Sequence, residues 1–89
     1  MLYIVTYDLH QSDQNFKGLE SAIRQEGEVN HCLASVWLVQ SQHGVDEIQT
    51  NLQRAIDEND RIIVVDITGK PLNGWMNRDV WEWVRAHNF

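Results

Sequence analysis

Three segments of this chain, Leu2 to Leu9, Val36 to Val39 and Arg61 to Ile67, are dominated by apolar, mostly β-branched or aromatic side chains. That composition marks strands rather than loops. Because side chains alternate along a strand, a sheet built from these segments is apolar on both faces. In the first of them, Leu2, Ile4, Thr6 and Asp8 fall on one side and Tyr3, Val5, Tyr7 and Leu9 on the other. A chain of 89 residues has little material to cover two faces, and domains of this size bury a limited share of their surface. The second face needs either the C-terminal segment or a partner subunit. A twofold-related copy is the simplest partner, and it would present every special residue twice, Asp8 included.

The order of elements fits that picture. After the first strand, the polar cluster Ser12-Asp13-Gln14-Asn15 is suited to cap a helix running roughly from Asn15 to Glu26, with Phe16, Leu19, Ala22 and Ile23 at helical spacing and Gly27 as its stop. His31 to Gln40 predicts two short strands joined at Ala34-Ser35. Gln42-His43-Gly44 is a turn, after which Asp46, paired with Gln49 in capping-box spacing, opens a second helix with Ile48, Leu52, Ala55 and Ile56 inward. Arg61 to Ile67 is a buried strand. Thr68 to Gly74 holds the single proline and reads as a loop. Val80, Trp83, Val84 and His87 then mark one face of a third helix, with Asn77 as its cap. Strand, helix, two strands, helix, strand predicts an α+β fold: a ferredoxin-like βαββαβ sandwich over residues 1–67, extended by a C-terminal loop and helix over 68–89, in one domain.

Composition narrows the function classes. Thirteen acids against seven bases give a net charge of −6, which opposes broad attraction to nucleic-acid phosphates, so any such contact must be local or metal-bridged. The bases are scattered, with no run among them. Cys32 is the single cysteine, which excludes an intrachain disulfide and argues against a structural zinc site. It is expected to be a small buried side chain. No apolar run approaches the roughly 20 residues that span a bilayer, and the first residues lack a basic leader. A cytoplasmic protein without membrane contact is expected.

A first strand closing in Tyr7-Asp8-Leu9, a helix, a Ser35-Val36-Trp37 segment, and an Asn59-Asp60 turn feeding an apolar strand form a recognisable set. Over Met1 to Ile67 the chain resembles the small SinR-type proteins of the CRISPR-associated Cas-two superfamily, whose wider circle includes the VapD ribonucleases. The resemblance implies a ferredoxin-like homodimer with Asp8 at the subunit interface. It also implies that Asp8 would hold a divalent metal, Mg²⁺ or Mn²⁺, if the chain is a nuclease. The chain departs from the superfamily pattern at two places: Leu38 follows Trp37 where an acid is common, and Leu9 to Asn15 contains no arginine. Three function classes follow: a metal-dependent endonuclease acting on RNA or DNA, a non-catalytic dimeric scaffold of a defence or toxin system that binds a protein or a nucleic acid, and a toxin or defence component whose surface binds a small ligand, which no residue identifies.

The chemistry asks little of the chain. Mg²⁺ retains several waters and needs one or two carboxylates besides phosphate oxygens, so two copies of Asp8 across a twofold axis suffice as metal ligands. The alternative role for Asp8 is to accept backbone N–H bonds in the following loop. His10, two residues on, is a candidate proton donor to a leaving oxygen, and Ser35 a candidate hydrogen-bond donor to a phosphate. His31, Cys32, His43 and His87 have no metal-ligand spacing. Asp57, Glu58 and Asp60 read as a solvated helix end. Of the four tryptophans, Trp37 and Trp83 are expected in the core, while Trp75 and Trp81 are candidates to dock on a partner.

Overall fold

The structure, a computed structural model, describes residues 1–10 and 13–87, with side chains at 1–10 and 16–87. The elements in chain order are β1 (Leu2–Asp8), α1 (Asp13–Arg24), β2 (Glu28–Leu33), β3 (Val36–Gln40), α2 (Val45–Gln53), β4 (Arg61–Asp66) and α3 (Arg78–His87). The strands form one sheet in the order β2-β3-β1-β4, each antiparallel to its neighbours. That is the ferredoxin-like arrangement with one added helix, as the element order predicts. None of the described helices is long and apolar enough to cross a membrane.

Side-chain alternation divides the core in two. Tyr3 and Val5 of β1 and Trp37 and Val39 of β3 point to one face, where Leu19 and Ile23 of α1 and Ile48 and Leu52 of α2 seal them completely. Leu38, one residue out of phase, points to the other face and is covered by Val80 and Val84 of α3, with Ile4, Cys32, Met76, Trp81 and Trp83 around it. The C-terminal helix therefore shields the far face around β3 and the adjoining parts of β1 and β2. Ile63 and Val65 of β4 remain 57% and 41% exposed on that same face. β4 is also an edge strand, and its Ile62-Ile63-Val64-Val65 core carries neither a proline nor a charge to protect the edge.

Local differences from the sequence reading have identifiable causes. β2 starts at Glu28, because Glu28 and Val29 already pair with Gln40 and Val39, and its ladder is irregular between Asn30 and Leu33. α1 ends at Arg24 rather than Glu26. Gly27 then passes so close to β3 that a Cβ would collide with the Gln40 carbonyl. In α2 the N-cap is Gly44, with no side-chain cap bond. Asp46 lies inside the first turn, where its charge favours the helix dipole, and Gln49 donates forward to Gln53 at 2.6 Å instead of closing a capping box. The capping expected of the polar cluster at 12–15 lies outside the described side chains.

Candidate functional site

Asp8 and Arg61 form the last cross-strand pair of β1 and β4, so both side chains leave the sheet on the same face, the one left open beyond α3. Thr6 and Ile63, the next same-face pair, together with Tyr7 and Ile62, complete a shallow cleft. The Asp8 carboxylate is exposed and makes no hydrogen bond or ion pair to any described residue. Its backbone-capping alternative is thus not realised among the described residues.

Asp60 does the turn-organising work instead. Its Oδ1 accepts the backbone N–H of His10 at 2.7 Å and its Oδ2 that of Asp57 at 2.9 Å. These two amides hold its carboxyl below the usual aspartate value against an opposing effect of burial, and the charges of His10 and Arg61 add to the lowering. The residue is 5% exposed, which corrects its reading as part of a solvated helix end. Two amides from different loops could not be inferred from three neighbouring acids. The loop so fixed in turn anchors Arg61, whose Nη1 donates to the carbonyls of Glu58 at 3.0 Å and Asp60 at 2.9 Å.

The structure gathers His10 and Ser35 at the same sheet end as Asp8 without bonding their side chains to it. His10 is exposed and is placed through its backbone by Asp60. Ser35 occupies the β2–β3 turn, and its carbonyl accepts the amide of Tyr7 at 3.4 Å. Arg61 was not singled out by the sequence, although its place as the first residue of an apolar strand was visible. Among the described residues no three His, Cys, Asp or Glu side chains converge as a metal-binding group. A hydrated, oxygen-preferring ion held by one carboxylate per chain fits Asp8; a zinc-type ligand set does not.

The remaining histidines are engaged elsewhere. His31 stacks on Trp37 with centroids 4.2 Å apart and planes 8° apart, and Arg24 lies over the same indole at 5.1 Å. His87 stacks on Trp83 at 4.2 Å. At the opposite sheet end, His43 Nδ1 meets Oε2 of Glu26 at 2.6 Å, while Asn51 donates to Oε1 of that buried carboxylate at 2.8 Å. The Glu26 hydrogen bond raises the His43 pKa, with the charges of Glu47 and Glu26 adding to it and burial opposing it. Cys32 is half-buried, not fully buried, and burial pushes its thiol up.

No family model and no curated protein matches the chain. Among solved structures it is similar to the crystal structure of a hypothetical protein TT1823 from Thermus thermophilus, with a TM-score of 0.63 and 20% identity over 85% of this chain and 93% of that one. At that identity the likeness is one of fold, and it agrees with the antiparallel α+β sandwich described above.

Proposed function

We propose that the protein is a homodimer that cleaves a phosphodiester of RNA or DNA with a divalent metal, Mg²⁺ or Mn²⁺, held by the Asp8 carboxylates of the two copies. The observation that carries this reading is the Asp8 side chain itself: a strand-end carboxylate unengaged by described residues, on the uncovered corner of the sheet. A structural acid at such a position would be expected to hold a turn, and here Asp60 has that task.

The second copy docks on the β4 side, where Ile63 and Val65 are exposed and the outer edge of β4 pairs with no strand among the described residues. A partner seated there about a twofold axis that passes beside Asp8 would bring the second Asp8 to the first, and Asp8 shares the face of Ile63 and Val65. When bound, the ion supplies a polarised phosphodiester and a nucleophile available near neutral pH. Asp8 binds the ion, whose charge offsets that of the carboxylate toward an approaching phosphate. The His10 imidazole holds the proton delivered to the leaving oxygen. The Ser35 hydroxyl donates to a phosphate oxygen.

A scaffold without catalysis is the second reading, and one specific observation favours it. Leu38, at the position where the superfamily pattern often has an acid, is 1% exposed beneath α3. That position serves packing here, which leaves one carboxylate per chain for the metal. Both readings share the dimer and differ in turnover. The deciding experiment incubates labelled single-stranded RNA and DNA with the purified protein in Mg²⁺, in Mn²⁺ and in EDTA. Metal-dependent cleavage that disappears in Asp8→Asn supports the endonuclease, whereas equal rates for wild type and Asp8→Asn remove it.

A further inference from the structure

We propose that Arg61 is the phosphate-binding residue of the Asp8 cleft, an assignment that rests on the nucleic-acid reading above and gives it a substrate contact. Asp8 and Arg61 are cross-strand neighbours on one face, close enough for opposite charges to pair. Here no ion pair within 4.0 Å joins them. The guanidinium is drawn back by its Nη1, which donates to the Glu58 and Asp60 carbonyls. Nη2 and Nε have no partner among the described residues.

This arrangement suits an oxyanion better than a carboxylate neighbour. A guanidinium presents its N–H groups as a planar fork that matches two phosphate oxygens, and its charge persists at every working pH. Anchoring Nη1 reduces the rotamer freedom lost when the remaining donors bind. The anchor is itself fixed, because the carbonyl of Asp60 belongs to the residue whose carboxylate clamps His10 and Asp57. Leu9 to Asn15 carries no arginine, so Arg61 is the cation that the cleft offers, with Thr6 and Ile63 beside it. In a protein of net charge −6, one preorganised arginine next to a metal-binding acid provides the local contact that the overall charge denies.

The test is a nitrogen-edited NMR titration of the full chain with a dinucleoside monophosphate in EDTA at low salt, with inorganic phosphate as a parallel arm. The Arg61 Nε–Hε signal and the Asp8 amide are followed. Saturable shifts are expected in wild type, with at least a tenfold weaker affinity in Arg61→Gln and an intermediate loss in Arg61→Lys, which keeps the charge but not the fork. Asp8→Asn binds as well as wild type or better, because a like charge has left the cleft. Absence of saturable shifts in wild type overturns the assignment, as does wild-type affinity in Arg61→Gln. If inorganic phosphate shifts Arg61 equally, the contact stands and is to the phosphate group alone. Arg61-dependent binding without Asp8-dependent cleavage retains this assignment and removes the endonuclease. Asp8-dependent cleavage with KM unchanged in Arg61→Gln does the reverse.

Discussion

The Asp60 carboxylate accepts the amide of His10 across 50 residues of sequence, at 2.7 Å, and thereby ties the loop leaving β1 to the loop entering β4. With its folded pKa held below 3.8, this group contributes stability that is present above that value and is lost as pH falls through the lowered folded value. Asp60→Asn keeps one acceptor but turns an NH₂ toward the other amide, so it destabilises the fold and flattens the acid limb of the stability curve. Urea midpoints measured between about pH 2 and pH 6 check this. A residual slope is expected from Asp66, whose carboxyl is lowered by the hydroxyl and amide of Thr68. An unchanged acid limb in Asp60→Asn contradicts the clamp.

His43 makes the opposite pH dependence. Its pKa is raised from 6.5 first by the hydrogen bond to Glu26, then by the charge of Glu47. The stability it contributes is therefore complete below about 6.5 and declines as pH rises through the raised folded value. Thermal unfolding across about pH 5.5 to 9 should show that decline in wild type. Glu26→Gln should lower the melting temperature most at the acid end of this range and reduce the slope; parallel curves for the two proteins would contradict the pairing.

Glycine positions separate by what surrounds them. At Gly27 a Cβ would run into the Gln40 backbone carbonyl, and the φ of 157° adds strain for any side chain. Gly27→Ala is expected to cost about 2 kcal/mol, the scale of overpacking a tight site. Around Gly74 nothing lies within 4 Å of a built Cβ, and Gly74→Ala is expected to be neutral within about 0.5 kcal/mol. Urea denaturation of the two variants makes the comparison.

The tryptophans allow a test within one residue type. Trp37 is 0% exposed beneath α1 and α2, whereas Trp75 is 100% exposed in the segment before α3. Truncating Trp37 to alanine should cost about 3 to 5 kcal/mol. Truncating Trp75 should move stability by less than about 0.5 kcal/mol. Chemical denaturation of both variants reads the difference, and similar losses would contradict the placement of Trp37 in the core.

The legible parts of the fold were those written in local pattern. Ile62 to Val65 declared a strand because four β-branched residues in succession suit little else, and the spacing of Ile48 and Leu52 declared the buried face of α2. The boundary of α2 is not legible locally, because Asp46 has the chemistry of a cap while the N-cap position falls two residues earlier, on Gly44. Asp8 stands out because it is the one acid in the apolar run from Leu2 to Leu9. Asp60 and Glu26 do not, since the groups they hold are brought to them by the crossovers of the sheet: His10 lies 50 residues from Asp60, and His43 lies 17 from Glu26. Element order also leaves open which part of the second face the last helix covers. α3 covers Leu38 and its surroundings, and the β4 side stays open.

That open side leads to the most direct measurement, sedimentation equilibrium of the wild type and of Ile63→Lys at micromolar concentration. Wild type is expected at twice the chain mass of 10.4 kDa, and Ile63→Lys, which places a charge in the center of the exposed strip, at the monomer mass. A wild-type protein that sediments as a 10.4 kDa monomer would contradict the paired Asp8 site.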